Sequence, residues 1–251
     1  MQYGICHLSV VPIRTLPDDS SEMNSQLLYG EYFKVLEQRK KWSRIRVAYD
    51  HFEGWIPNYQ ITLIEEEAFK TLEATSKDNA FSSDIVSHIC TTDGILTPIV
   101  LGSIISAAPM FNHTFEGDSI KGKKSKFNLI DTALLYMKAP YQWGGKSPFG
   151  IDCSGFTQMV YKINGHVLKR DAEQQSKQGE ALSFIEESEP GDLAFFDNSE
   201  GIIDHVGIIL QDNYIIHVHG HVRVDRLDHT GIFNTQENKY THQLRVIKKI
   251  I

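Results

Sequence analysis

The 251-residue sequence predicts one or two small all-β barrels followed by an α+β domain. Three observations carry that expectation. Residues 1 to about 65 hold short apolar runs broken by polar turns, at intervals that suit a small barrel. From Phe127 the apolar spacing becomes helical, through Asn128–Lys138 and again through Phe156–Ile163. Beyond Pro190 the pattern changes to apolar runs separated by turn residues, and helices followed by antiparallel strands make an α+β domain. The boundaries expected from these changes are 1–65, 66–125 and 126–251.

In the first segment the strand candidates are Leu8–Val11, Leu27–Tyr29, Tyr32–Leu36, Arg44–Val47 and Gly54–Pro57. The stretch LLYGEYFKVLEQRKKWSRIRVAYDHFEGWIP resembles the bacterial SH3-like barrel, with Gly30 before a strand, Trp42 near the next and Gly54-Trp55 near the end. Phe33 and Trp42 are expected inside that barrel. In the second segment Ala68–Leu72 reads as helical, and Ile85–Cys90, Ile95–Leu101 and Ile104–Ala108 read as strands. The run Leu96–Ser103 echoes Gln26–Glu31 as an apolar stretch closed by glycine, which suggests a second, degenerate barrel. Glu116–Lys126, polar and glycine-containing, has the composition of a linker or exposed loop.

The third segment opens with a helix over Asn128–Lys138, closed before Pro140. Gly144, Gly145, Pro148 and Gly150 then break regular structure and deliver one cysteine, Cys153, to the start of a helix. Phe156, Met159, Val160 and Ile163 form its apolar stripe, and Asn164-Gly165 ends it. Asp152 is placed as N-cap, so Cys153 falls in the first turn, where the helix dipole favours a thiolate. A short helix within Arg170–Gln178, a turn at Pro190-Gly191-Asp192 and strands at Leu193–Phe196, His205–Leu210 and Tyr214–Val218 complete the reading.

A cysteine nucleophile needs a base. If Gln211–Asn213 forms a three-residue hairpin loop, Leu210 pairs with Tyr214 and Gly207 with His217. His205 then shares a face with His217 on a diagonal of roughly 7–8 Å. A two-residue loop puts the two histidines on opposite faces. The three-residue register permits a base, His205, oriented by a second histidine, His217, with room beside them at Gly207. A rival is a metal site along His217-x-His219-x-His221. No carboxylate or thiol stands at short spacing from it, and three like ligands along one strand are geometrically awkward. Neither metal nor cofactor is expected.

A formal charge of −7 argues against a nucleic-acid partner or an anionic membrane surface. No apolar run of about 18 residues appears. The N-terminal stretch lacks the basic and apolar regions of a signal peptide. With three widely spaced cysteines, too few for a disulfide framework, the expectation is a reduced, cytoplasmic protein.

Six motifs recur in an order that carries a resemblance: Tyr141-x-Trp143-Gly144-Gly145; Asp152-Cys153-Ser154-Gly155-Phe156; Arg170-Asp171-Ala172 with Gln174-Gln175; Pro190-Gly191-Asp192-Leu193; His205-Val206-Gly207-Ile208; and Tyr214-Ile215-Ile216-His217. Together they resemble the NlpC-type bacterial cell-wall cysteine peptidases over about residues 127–251. The resemblance implies a papain-like α+β catalytic domain preceded by one or two SH3-like barrels. The barrel narrows it to the γ-D-glutamyl-L-diamino acid endopeptidases, which cut murein peptides with a free N-terminal L-alanine. Lys169 departs from the proline usual in the family at that turn. Carried over by motif, Cys153 is the nucleophile, His205 the base and His217 the orienting residue, while Asp152, Ser154 and Tyr141 match substrate-contacting positions. Asp152 as an anion suits a substrate ammonium, and Glu31 of the first barrel is a weaker candidate for the same group. The expected partner is a murein peptide. The alternatives are an acyltransferase or amidase acting on another γ-glutamyl compound, and an inactive wall-binding module.

Overall fold

The structure is a computed structural model that describes residues 2–251. Its chain forms two units, one reaching to Lys123 and including Trp143–Pro148, the other made of 124–142 and 149–251.

The first unit begins with β1 (Gln2–Ile5), β2 (Val10–Arg14), β3 (Met23–Leu28), β4 (Tyr32–Gln38), β5 (Trp42–Val47), β6 (Glu53–Pro57) and β7 (Thr62–Ile64). They make one antiparallel sheet in the order β3-β2-β6-β5-β4-β1-β7. Period-2 alternation sorts the side chains. Along β5, Ser43, Ile45 and Val47 are buried, while Arg44 and Arg46 point outward onto Glu53. Phe33 joins Val11, Ile13, Leu27, Ile45 and Ile56 in the core, as expected. Trp42 does not: it is half-buried, and the buried indole is Trp55, covered by the Arg39 guanidinium at 4.4 Å. Gly30 has φ +80°, and a Cβ there would lie 2.2 Å from the Ile104 carbonyl oxygen, so this turn requires glycine.

Residues beyond β7 add α1 (Glu66–Ala74), β8 (Ala80–Ser82), β9 (Val86–Cys90), β10 (Leu96–Val100), β11 (Thr114–Phe115) and β12 (Ser119–Lys121). Phe69 and Leu72 form the buried face of α1, with Phe69 stacked on Tyr3 at 4.5 Å. The strands form a three-stranded sheet, β10-β9-β11, and a two-stranded ladder, β12-β8. Two expectations are corrected here. Ile105–Phe111 is a 3-10 helix rather than a strand; its Pro109 has no N–H to give a ladder, and its buried Ile105, Ala107 and Ala108 do not alternate. The polar stretch after Glu116 contains β12, because β8 offers it an edge to pair with. The short strand β13 (Lys146–Ser147) also belongs to this unit. Lys146 Nζ meets both carboxylate oxygens of Glu31, at 3.0 and 3.2 Å, and its backbone N–H donates to Gln26 Oε1 at 2.7 Å. The change of composition near residue 126 is therefore not a single cut between the units.

The second unit contains α2 (Lys126–Leu135), β14 (Gly150–Ile151), α3 (Cys153–Ile163), α4 (Ala172–Gln175), β15 (Glu180–Leu182), β16 (Leu193–Asp197), β17 (Ile203–Ile209), β18 (Tyr214–His219), β19 (His221–Leu227), β20 (Gly231–Asn234) and β21 (Lys239–Lys249). The sheet order is β15-β21-β16-β17-β18-β19-β20, and β20 also pairs with β21, closing six strands on themselves. Helix first and barrel afterward is the α+β arrangement the sequence predicts. α3 packs against β17 and β18, and all of its residues are buried.

Candidate active site

The site begins with the cap of α3. Asp152 has extended backbone and accepts the N–H of Gly155 on Oδ1 at 2.6 Å, which fixes the first turn and puts Cys153 at its opening. The same carboxylate receives a fork from Arg170, Nη1 to Oδ1 at 3.0 Å and Nη2 to Oδ2 at 2.6 Å. Arg170 Nη1 also donates to Ser154 Oγ at 3.0 Å. All three residues are buried. The Cys153 thiol donates to the backbone oxygen of Asp204 at 3.7 Å, and Asp204 immediately precedes the candidate base.

The base lies on the hairpin of β17 and β18. Gly207 pairs with His217, Ile208 with Ile216 and Ile209 with Ile215, and Leu210 N–H donates to Tyr214 O. That is the three-residue-loop register, and it sets His205 and His217 on one face with His205 Nε2 2.9 Å from His217 Nδ1. Beyond His217 stands a group the sequence analysis does not identify. His217 Nε2 is 2.9 Å from Asp225 Oδ2, and Asp225 is held in turn by Arg223, Nη2 to Oδ1 at 2.9 Å and Nε to Oδ2 at 2.7 Å.

These contacts assign the protons. Burial alone raises the carboxyl of Asp225, but His217 and Arg223 outweigh it and keep the group below the usual carboxylate range. An ionised Asp225 only accepts, so His217 Nε2 donates to it. Burial lowers His217, against the pull of Asp225, so its ring is neutral and its Nδ1 must accept. His205 Nε2 therefore donates, and Nδ1 of His205 carries the lone pair. Burial, with His242, His217 and His219 adding to it, holds His205 well below the ordinary imidazole value.

The thiol departs from expectation. Burial pushes Cys153 up to about 12, and Asp152 adds to the rise. The backbone N–H of Val206, the Arg170 charge and the backbone N–H of Ser154 oppose it without winning. The start of α3 does supply donors for a thiolate, yet desolvation of the sulfur decides the balance. The free site rests as neutral thiol and neutral imidazole.

A cleft of about 830 Å³ adjoins the base, with Tyr141, Asp197, Asp204, His219, Tyr240 and His242 among its walls. Tyr141 is half exposed, and burial, Cys153 and Asp152 all raise its phenol. His242, also absent from the sequence expectations, lays its ring on that of His205, centroids 4.0 Å apart and planes 21° from parallel. His205, His217 and His242 gather ligand atoms within 4.8 Å of one another. Their geometry does not fit a shared cation. A metal lies near the plane of each imidazole it binds, and two rings stacked at 4.0 Å cannot both point a lone pair at one ion. Both nitrogens of His217 are already engaged.

Two substrate candidates have charged partners of their own. Glu31 is 1% exposed, and its carboxylate takes the Leu28 N–H and the Lys146 ammonium, so its charge is already matched inside the first unit. Asp152 caps α3, and its charge is balanced by Arg170, a partner the sequence motif contains without declaring its role. Ser154 lies between them, with Oγ 3.3 Å from Asp152 Oδ1.

Comparison with known proteins finds relatives for both parts of the chain. Residues 138–243 match the NlpC/P60 family, and residues 13–61 match the bacterial dipeptidyl-peptidase SH3 domain. A γ-D-glutamyl-L-lysine dipeptidyl-peptidase of Bacillus cereus is 27% identical over 227 residues, covering 79% of this chain and 68% of the relative. Dipeptidyl-peptidase 6 of Lysinibacillus sphaericus is 29% identical over 249 residues, covering 84% and 87%. A crystal structure of an NlpC/P60 family protein from Bacillus cereus superimposes with TM-score 0.80 over 99% of both chains at 18% identity, a likeness of fold.

Proposed function

We propose that this chain, with an NlpC/P60 domain behind a bacterial SH3 domain, is a cysteine-type peptidase with one main reaction on cell-wall peptide. That reaction is hydrolysis of the γ-D-glutamyl bond to an L-diamino acid in murein peptides with a free N-terminal L-alanine. The observation that carries the chemistry is the relay Asp225–His217–His205, whose hydrogen bonds leave a lone pair on His205 Nδ1, on the residue after the thiol's own acceptor. The dipeptidyl-peptidase relatives support the free amino terminus.

Because both groups rest neutral, the thiol proton passes to His205 Nδ1 as Cys153 Sγ attacks the γ-carbonyl carbon. The oxyanion meets the backbone N–H of Cys153 at the start of α3. His205 then gives its proton to the leaving amine, the C–N bond breaks, and a thioester remains. Water, losing a proton to His205, attacks the thioester and returns the thiol. Asp225 keeps His217 in the tautomer that accepts from His205 throughout. Asp197 and Asp204 line the cleft and suit the ammonium of a diamino acid. Asp152, charge-balanced by Arg170, with Ser154 and Tyr141, is the polar cluster offered to the substrate amino terminus. We propose that the reaction belongs to peptide recycling in the cytoplasm, the compartment that three widely spaced cysteines suit.

The test is mass spectrometry of products from L-Ala-γ-D-Glu-L-Lys, its diaminopimelate counterpart and their N-acetyl forms. Release of L-Ala-γ-D-Glu from the free-amine peptides alone is expected. Equal cleavage of the acetylated peptides would remove the amino-terminal requirement, and no cleavage of any would remove the substrate.

A further inference from the structure

The closed barrel brings a third histidine to the base by a route that local spacing does not reveal. In the ladder of β16 and β21, Phe195 pairs with Val246, but the next pair is Phe196 with Leu244, so Arg245 is an extra residue in β21. A bulge of this kind reverses which side chains face which side. Phe196 pairs with His205 on its other edge, and His205 shares its face with His217. Without the bulge, Arg245 and Gln243 would lie on that face. With it, Leu244 and His242 do.

His242 arrives there as a flat cover. Its ring lies 4.0 Å from that of His205 and 21° from parallel, and stands edge-on to His217 at 5.6 Å and 84°. Phe196 contacts the same base ring at 5.8 Å. His242 is itself anchored, Nδ1 lying 2.9 Å from Thr241 Oγ1. The single hydrogen bond from His205 Nε2 sets which nitrogen points at His217, but the outer torsion of a histidine is broad and one bond leaves the ring room to rock. A ring packed on its face removes that freedom.

We propose that His242 is a positioning residue for the base, holding the His205 ring by its face so that Nδ1 keeps one direction toward the thiol. The proposal rests on Cys153 and His205 being nucleophile and base. His242 is suited to the task because burial, His217 and His219 outweigh Asp225 and bring it down to about 3, so the cover stays neutral when the base gains its proton. The titratable groups facing His205 are His242 from β21, His217 and His219 from β18, with Asp225 and Arg223 of β19 behind them and Cys153 on α3.

The experiment needs no substrate. Iodoacetamide labelling is followed from pH 4 to 9 by mass spectrometry of the Cys153 peptide, which separates it from Cys6 and Cys90. His205→Ala serves as control and should slow labelling and erase its acid-side midpoint. His242→Ala should slow labelling at neutral pH by about two- to tenfold, the range of a stacked ring pair. It should also move the acid-side midpoint upward, because water reaching the ring relieves the burial that depresses it. His242→Phe, which keeps a ring on the face, should stay within about twofold of the wild type in rate and keep its midpoint, while His242→Gln should follow the alanine variant. If His242→Ala does not fold, as judged by circular dichroism, the phenylalanine and glutamine pair decides. Wild-type rate and midpoint in His242→Ala, or a phenylalanine variant as slow as glutamine, would overturn the proposal. Labelling indifferent to His205→Ala would instead sink the cysteine–histidine reading, and this inference with it.

Discussion

Asp225→Asn is the sharpest test of the relay, because an amide cannot accept from every donor that the carboxylate serves. Asp225 is 4% exposed and bridges two donors, His217 Nε2 and the Arg223 guanidinium. Arg223 faces both oxygens, Nη2 on Oδ1 and Nε on Oδ2, so an amide NH₂ meets a guanidinium N–H in either orientation; with the oxygen on the Nη2 side, NH₂ faces His217. His217 Nε2 must then accept, the ring proton moves to Nδ1, and Nδ1 now confronts the N–H of His205 Nε2. Either two donors face each other or His205 also changes tautomer and places its proton on the nitrogen that should be the base. Each mis-set buried hydrogen bond costs about 1–3 kcal/mol. With two bonds in the relay, kcat should fall by about 30-fold to 10⁴-fold, with KM little changed. The assay is release of the diamino acid, quantified by amine derivatisation, alongside a thermal melt. Adding Arg223→Leu should return part of the activity, since the amide can then offer its oxygen to His217. An Asp225→Asn enzyme within threefold of wild type in kcat and unchanged in the thermal melt would refute the reading, because in either orientation the amide leaves a donor facing a donor.

Cys153→Ala should abolish turnover with the melt unchanged, since alanine is a good helix former, and turnover by this variant would exclude the nucleophile. Gly207→Ala should lose at least about fivefold in kcat, because an added Cβ would lie 2.9 Å from His217 Cβ and 2.7 Å from Ile215 Cδ1, and overpacking of this kind costs about 1–3 kcal/mol. Asp152→Ala should destabilise the fold by about 3–5 kcal/mol in urea denaturation, because it strips the buried Arg170 of its carboxylate. His205, His217 and His242 all have folded values below their ordinary 6.5, so the unfolded chain binds protons that the folded chain refuses. Their contribution is complete above pH 6.5 and is lost as pH falls toward the folded values, at up to about 4 kcal/mol per pH unit for three groups. Urea midpoints at pH 7.5 and 5.5 check this, and equal midpoints would contradict the burial of the cluster.

What the sequence discloses of this site is what lies within one hairpin or one helix. Asp152 and Cys153 can be placed because a cap and a helical stripe are local signals, and α3 begins at Cys153. His205 and His217 can be placed because strand periodicity is 2 and the loop has three residues, which fixes parity. The same rule reaches Asp225 if it is carried one strand further, since His217 pairs with Arg223 and Asp225 lies two residues on. It requires knowing that the chain reverses at Gly220, where φ is +70°. His242 lies outside such reasoning altogether. Its face is set by an extra residue in β21 whose effect exists only once β16 is paired with it, and a one-residue slip in that ladder exchanges His242 for Gln243. The partner of Glu31 is hidden for the same non-local reason, because the group that makes its burial tolerable, Lys146, stands 115 positions away. In the first unit the strand in place of a polar loop at Ser119–Lys121 likewise depends on an edge supplied by β8. The elements that hold the chemistry are thus legible where chemistry and chain are neighbours. The residues that orient it are contributed by barrel closure, which turns distant strands toward one base and which no local period encodes.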